Sequence, residues 1–143
     1  MTSKYIRAIN TRDIPIPKKP TNLPAAYVLN TGYAHAGIHW VLVLFTRHFN
    51  IFFDSFGRSP KELLLASQVK QINSSILYNF KRLQHSKSSV CGHWVIYYTY
   101  FLCKGASLHD INSRFSSTNY EENDKIVYNF VKTLAIACEV DLK

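Results

Sequence analysis

Cysteine is scarce in this chain, with three in 143 residues, at positions 91, 103 and 138. An odd, widely spread set makes a poor disulfide framework, and no C-x-x-C pair offers the spacing of a zinc site. No apolar run approaches the length of about 18 residues that a membrane-spanning helix needs, and MTSKYIRAINTRDIPIPKKP at the start has no apolar signal-peptide core. The expectation is a reduced, intracellular protein without a membrane partner. Repeats, low-complexity tracts and linkers are also missing, so residues 1–143 read as a single domain, and 47% hydrophobic content supports a real core without staples. Acidic residues are few. Nine Asp and Glu against 17 Lys and Arg give a formal charge of +8, which keeps nucleic acid open as a partner. No basic run exceeds two residues, so the charge marks no groove, and a solvated surface explains it as well.

Pro15, Pro17, Pro20 and Pro24 argue against regular ladders, and residues 1–24 read as an irregular N-terminal segment wrapped on the domain. Ala25–Asn30 reads as a short buried strand closed by an Asn-Thr-Gly turn. Ile38–Thr46 and Phe49–Asp54 are rich in β-branched and aromatic residues and flank Arg47-His48, the pattern of an antiparallel hairpin. Pro60 suits the first turn of a helix over 60–70, and Ile76–Leu83 alternates enough to be a further strand. Ser107–Arg114 suggests a short helix. Asn119 and Glu122 then have capping-box spacing and open a helix to about Ala137, with Ile126, Phe130 and Leu134 on one stripe and Val127 and Val131 beside it. Strands followed by helices make an α+β domain.

Gln84–Gly105 carries the chemistry. A polar loop runs into Cys91-Gly92, an apolar helical run follows, and Gly105 stands where a C′ glycine would end it. Cys91 thereby falls in the first turn, where unpaired N–H groups and the macrodipole favour a thiolate. His39 lies on the strand expected to begin at Ile38. With the hairpin turn at 47–48, Asp54 falls roughly opposite Val41, within reach of His39 across the ladder. Gln84 could fold its amide back so that it and the cysteine N–H share one oxyanion. Each has a plainer use: Cys91 and Trp40 as core residues, His39 as a satisfied strand histidine, Asp54 as a turn former and Gln84 as a loop residue. His85 and His93 are rivals for the base. Cys103 and Cys138 read as core.

The strings Gly37-Ile-His39-Trp40, Phe53-Asp54-Ser55-Phe56-Gly57, Gln84 and Ser89-Val90-Cys91-Gly92 resemble, in order and spacing, the adenovirus-type cysteine endopeptidases, the adenain family, in particular those of Polinton (Maverick) elements and adintovirus-like viruses. The likeness runs from about Asn30 to Val131. It implies the papain-like α+β fold of the adenain and Ulp clan, a central mixed sheet with the catalytic cysteine at the N-terminus of a buried helix. It implies His39 as general base, Asp54 as the acid that orients it, Cys91 as nucleophile and Gln84 as oxyanion donor, with Trp40 and Gly92 lining the substrate site and no metal. The activity implied is cleavage of virion precursor proteins through an acyl-enzyme, at small-residue sites containing glycine. The enzyme would be a monomer in the host nucleus or cytoplasm, packaged in the virion. The chemistry requires no cofactor. DNA or a peptide stays open as an activator, although no cysteine precedes Cys91 to tether a peptide by a disulfide. The acid is Asp where the adenovirus enzymes commonly have Glu.

Two alternatives stand beside this. Deconjugating proteases for ubiquitin-like modifiers share the clan, but they carry Asp before the cysteine and a shorter glutamine-to-cysteine interval, where this chain has Val90 and an interval of seven. A basic, nucleic-acid-binding virion protein with a decayed site would bind DNA salt-dependently and show no thiol reactivity.

Overall fold

The computed structural model of the chain describes residues 6–10, 22–31, 39–63 and 76–142, with backbone alone for 6–10 and 138–142. Its described strands are Ile6–Asn10 (β1), Ala25–Asn30 (β2), Trp40–Phe45 (β3), Asn50–Phe53 (β4) and Ile76–Tyr78 (β5). They form one mixed sheet in the order β1-β2-β3-β4-β5, with β1–β2 and β4–β5 parallel and the two central pairs antiparallel. Helices Cys91–Cys103 (α1), Leu108–Asn112 (α2) and Tyr120–Leu142 (α3) follow, so the chain is α+β.

Alternation along the strands explains why β3, WVLVLF, reads as one continuous apolar run. Successive strand side chains point to opposite faces, and here both faces are covered. Ala26, Leu42, Leu44, Ile51 and Phe53 pack with Trp94, Val95, Tyr97, Tyr98 and Leu102 of α1. Ala25, Tyr27, Leu29, Val41, Val43, Phe45 and Phe52 form a second cluster on the opposite face, against which Leu23, Leu63, Ile76 and Tyr78 pack. The β3–β4 hairpin has the expected register, with Leu42 opposite Phe53 and Phe45 opposite Asn50, around bends at Arg47 and His48.

Helix α1 is held on the strand that leads to Asp54. The Tyr98 ring stacks on Phe53 with centroids 3.8 Å apart, and the fully buried Trp94 lies against Phe115. Emptying a site such as that of Trp94 costs about 3–5 kcal/mol. The helix stops as its sequence suggests: Gly105 has φ +102, its N–H reaches the Leu102 carbonyl, and the Ala106 N–H reaches Phe101. These two bonds are a Schellman ending.

Several expectations need correction. Residues 1–24 are not irregular throughout, because Ile6–Asn10 pairs with β2; every proline lies beyond that strand and none interrupts its ladder. His39 sits just before β3 rather than on it. The strand expected over 76–83 ends at Tyr78, and the backbone from Asn79 to Val90 is irregular. Residues 60–63 form a turn with an N–H of Leu63 to the Ser59 carbonyl, and the rest of the helix expected over 60–70 lies outside the described residues. In α3 Val127 is buried and Phe130 packs against the core as expected, but Ile126 is exposed and Asn123 is buried one turn before Val127. The capping box is half made. Asn119 Oδ1 accepts from the Glu122 N–H, but the Asn119 N–H goes to Ser116 Oγ.

Candidate active site

Three elements meet at Cys91. The first turn of α1 carries the sulfur, the residue before β3 carries His39, and the residue after β4 carries Asp54. The His39 backbone is tied to the end of β2 by the Thr31 N–H, 2.8 Å from the His39 carbonyl. Its ring Nε2 lies 2.5 Å from Asp54 Oδ1, which leaves the other ring nitrogen for Cys91, with which His39 shares the cleft wall. Phe56 stacks on the imidazole with centroids 5.2 Å apart, a contact that restrains ring rotation.

The carboxylate of Asp54 is fully buried and collects four donors. Besides His39, the Phe56 N–H reaches Oδ1 at 3.2 Å, and Oδ2 accepts the Arg58 N–H at 3.1 Å and Arg58 Nε at 2.8 Å. Burial works against the charge, yet the bonds from His39 and Arg58 outweigh it and hold the carboxyl below its ordinary value. The imidazole behaves in the opposite sense. Burial opposes the cation, but hydrogen bonds to Asp54 and Cys91 push the His39 pKa up to about 9. For Cys91, burial again opposes ionisation, and the bond to His39 together with the N–H groups of Trp40 and Gly92 pulls the thiol below its ordinary value. The start of α1 has no side-chain cap and no acidic residue in its first turn, so nothing there competes with the thiolate for backbone donors. The three shifts all run in the sense that favours a thiolate–imidazolium pair backed by a carboxylate.

Gln84 is brought to the same cleft, of about 630 Å³, whose lining includes His39, Trp40, Phe56, Cys91 and Gly92. It is 1% exposed rather than a free loop residue. Its Nε2 donates to Ser88 Oγ at 2.9 Å and to the Ser88 carbonyl at 3.1 Å, so both amide hydrogens face Ser88, while Oε1 accepts from Ser55 Oγ at 2.5 Å. Trp40 lies over Gly92, where an added Cβ would sit 3.6 Å from its Cδ1.

The rival histidines are engaged otherwise. His85 Nδ1 accepts from the Lys87 N–H, and the His93 ring, though part of the cleft wall, stacks on Tyr128 at 5.4 Å. Cys103 is a free, half-buried thiol whose pKa burial pushes up to about 11; the side chain of Cys138 lies outside the described residues. Ser55, Phe56, Arg58 and Asn79 also hold the site, and no spacing or motif in the sequence assigns them a role. Ser55 and Phe56 stand in the Phe53–Gly57 string, and that adjacency to Asp54 was the available signal.

Among the described residues no group of three or more His, Cys, Asp or Glu could hold a metal ion, and no helix is long and apolar enough to cross a membrane. No protein-family model matches the chain, and no curated protein matches it.

Proposed function

We propose that the chain is a cysteine endopeptidase of papain-like layout, with Cys91 as nucleophile, His39 as general acid and base, and Asp54 as the group that orients His39. The observation that carries this reading is the run of hydrogen bonds from Arg58 to Asp54 and from Asp54 to His39, beside a Cys91 that lines the same cleft at the start of a helix. A structural cysteine needs none of this. Burial alone raises a thiol pKa, as at Cys103.

In the reaction the thiolate attacks the scissile carbonyl carbon, a C–S bond forms, and the carbonyl π pair moves to oxygen. The Cys91 backbone N–H, at the start of α1, and one amide hydrogen of Gln84 turned from Ser88 would receive that oxyanion. The pair returns, the C–N bond breaks, and the imidazolium proton goes to the leaving amine. A water then gives a proton to His39 and attacks the thioester carbon, and the C–S bond breaks to release the acid and the thiolate.

The helix that starts at the cysteine and packs on a mixed sheet supports the adenain and Ulp clan layout. The order of the motifs supports virion precursor proteins as substrates, cut at small-residue sites inside the host cell or the virion. Peptide-library digestion tests this reading, with Cys91→Ala as control and mass measurement of the trapped acyl-enzyme. Cleavage and a thioester adduct on Cys91 are expected; a library left intact by the wild-type chain would contradict it.

A further inference from the structure

We propose that Ser55 is a positioning residue that sets which end of the Gln84 amide faces the cleft, an inference that rests on the cysteine-endopeptidase reading above. The two ends of a primary amide are nearly alike in shape and opposite in function, since one accepts and the other donates. Gln84 can serve an oxyanion only with Nε2 on the cleft side. Ser55 is 1% exposed, and its Oγ donates to Gln84 Oε1 at 2.5 Å. Its carbonyl also accepts the N–H groups of Leu83 at 2.9 Å and of Gln84 at 3.1 Å.

The two backbone bonds fix where residue 84 lies, and the hydroxyl fixes how its side chain is turned. The Ser88 carbonyl, which can only accept, acts in the same sense at the other end of the amide. Ser55 is also joined by one peptide bond to Asp54, so consecutive residues orient the two halves of the machinery. Asp54 aims the base, and Ser55 aims the oxyanion donor. Removing the hydroxyl leaves the backbone clamp in place and lets the amide turn over or swing.

The test uses the full chain and acetyl-Gly-Gly p-nitrophenyl ester, reading nitrophenolate release above a Cys91→Ala background, beside iodoacetamide alkylation of Cys91. Alkylation needs the thiolate and forms no oxyanion, so it separates the two halves. Gln84→Ala lowers kcat about 100-fold, the scale of one oxyanion donor. Ser55→Ala lowers kcat about tenfold, the worth of one hydrogen bond, with KM and the alkylation rate unchanged. In the Gln84→Ala background, Ser55→Ala adds nothing. Equal losses in both backgrounds, joint loss of alkylation and turnover in Ser55→Ala, or wild-type kcat in that variant would each overturn the inference. A wild-type chain that alkylates but releases no nitrophenolate above background would contradict the proposed function itself, and the inference with it.

Discussion

Asn79 pairs with both backbone groups of Asp54: its Oδ1 accepts the Asp54 N–H at 3.2 Å and its Nδ2 donates to the Asp54 carbonyl at 2.7 Å. Strand pairing between β4 and β5 ends at Phe52 and Tyr78, so a side chain takes over where the backbone ladder stops. The residue that orients His39 is thereby held from its main chain as well as from its carboxylate.

Asn79→Ala should consequently cost more than an ordinary surface change. Asn79 is fully buried, and its loss leaves the Asp54 N–H unpaired in the interior, while the Asp54 carbonyl keeps the Gly57 N–H at 2.8 Å. The expected loss is about 1–3 kcal/mol of unfolding free energy, read by urea denaturation. A change within experimental error would show that Asp54 is held by its carboxylate contacts and the Gly57 N–H without Asn79.

Arg58 should set the acid limit of stability. The folded pKa of Asp54 lies below the ordinary 3.8, so the stability it contributes is complete above that value and is lost as pH falls through the folded value. Arg58→Gln removes the Nε bond and the charge but keeps the backbone N–H, and so brings the folded pKa back toward 3.8. The midpoint of acid unfolding, followed by circular dichroism, should move to higher pH. An unchanged or lower midpoint would contradict the assignment.

Two glycines beside the site should respond differently to alanine. At Gly57, φ is +75 and an added Cβ would meet Lys81 carbonyl carbon at 2.6 Å and Arg82 nitrogen at 2.8 Å, all main chain. Gly57→Ala is expected to destabilise by about 2–4 kcal/mol, since neither the strain nor the clash can relax through a side chain. At Gly92 the backbone is helical and the new methyl would meet only Trp40 at an ordinary 3.6 Å. Gly92→Ala should keep wild-type stability to within about 1 kcal/mol, the difference in helix propensity, and raise KM by narrowing the cleft. Thermal melts of the two variants give the comparison, and equal losses would count against the local geometry.

Much of this site was legible because it is built from local signals. The Arg47-His48 turn fixes the hairpin register, and the register brings Asp54 near His39; the passage from a polar loop to an apolar helical run fixes where α1 begins. What escaped is carried by polar contacts across long separations. Asn79 reaches back 25 residues to Asp54, Ser55 reaches 29 to Gln84, and Asn123 reaches 40 to the Leu83 carbonyl, and no periodicity announces such pairs. Asn123 also extends the buried face of α3 by one turn before Val127. A buried asparagine that bonds the strap before Gln84 holds a core position that an apolar pattern cannot reveal. The pairing of β1 was hidden by the prolines that follow it, which break ladders only where they stand.

The thiolate–imidazolium pair is the centre of the account, and the rate of Cys91 alkylation by iodoacetamide against pH tests it most directly. In wild type the midpoint should lie below 9.0, the ordinary thiol value, because the bonds from His39, Trp40 and Gly92 outweigh burial. In His39→Ala burial persists and its main opponent is gone, so the midpoint should move upward, toward or past 9.0. Cys103, held near 11 by burial, supplies an internal standard in a Cys138→Ser background, with Cys91→Ala identifying its signal. Acyl transfer by wild type should also fall as pH rises through about 9, where His39 gives up the proton that the leaving amine requires. A wild-type midpoint at or above 9.0 that His39→Ala leaves unmoved would contradict the pair.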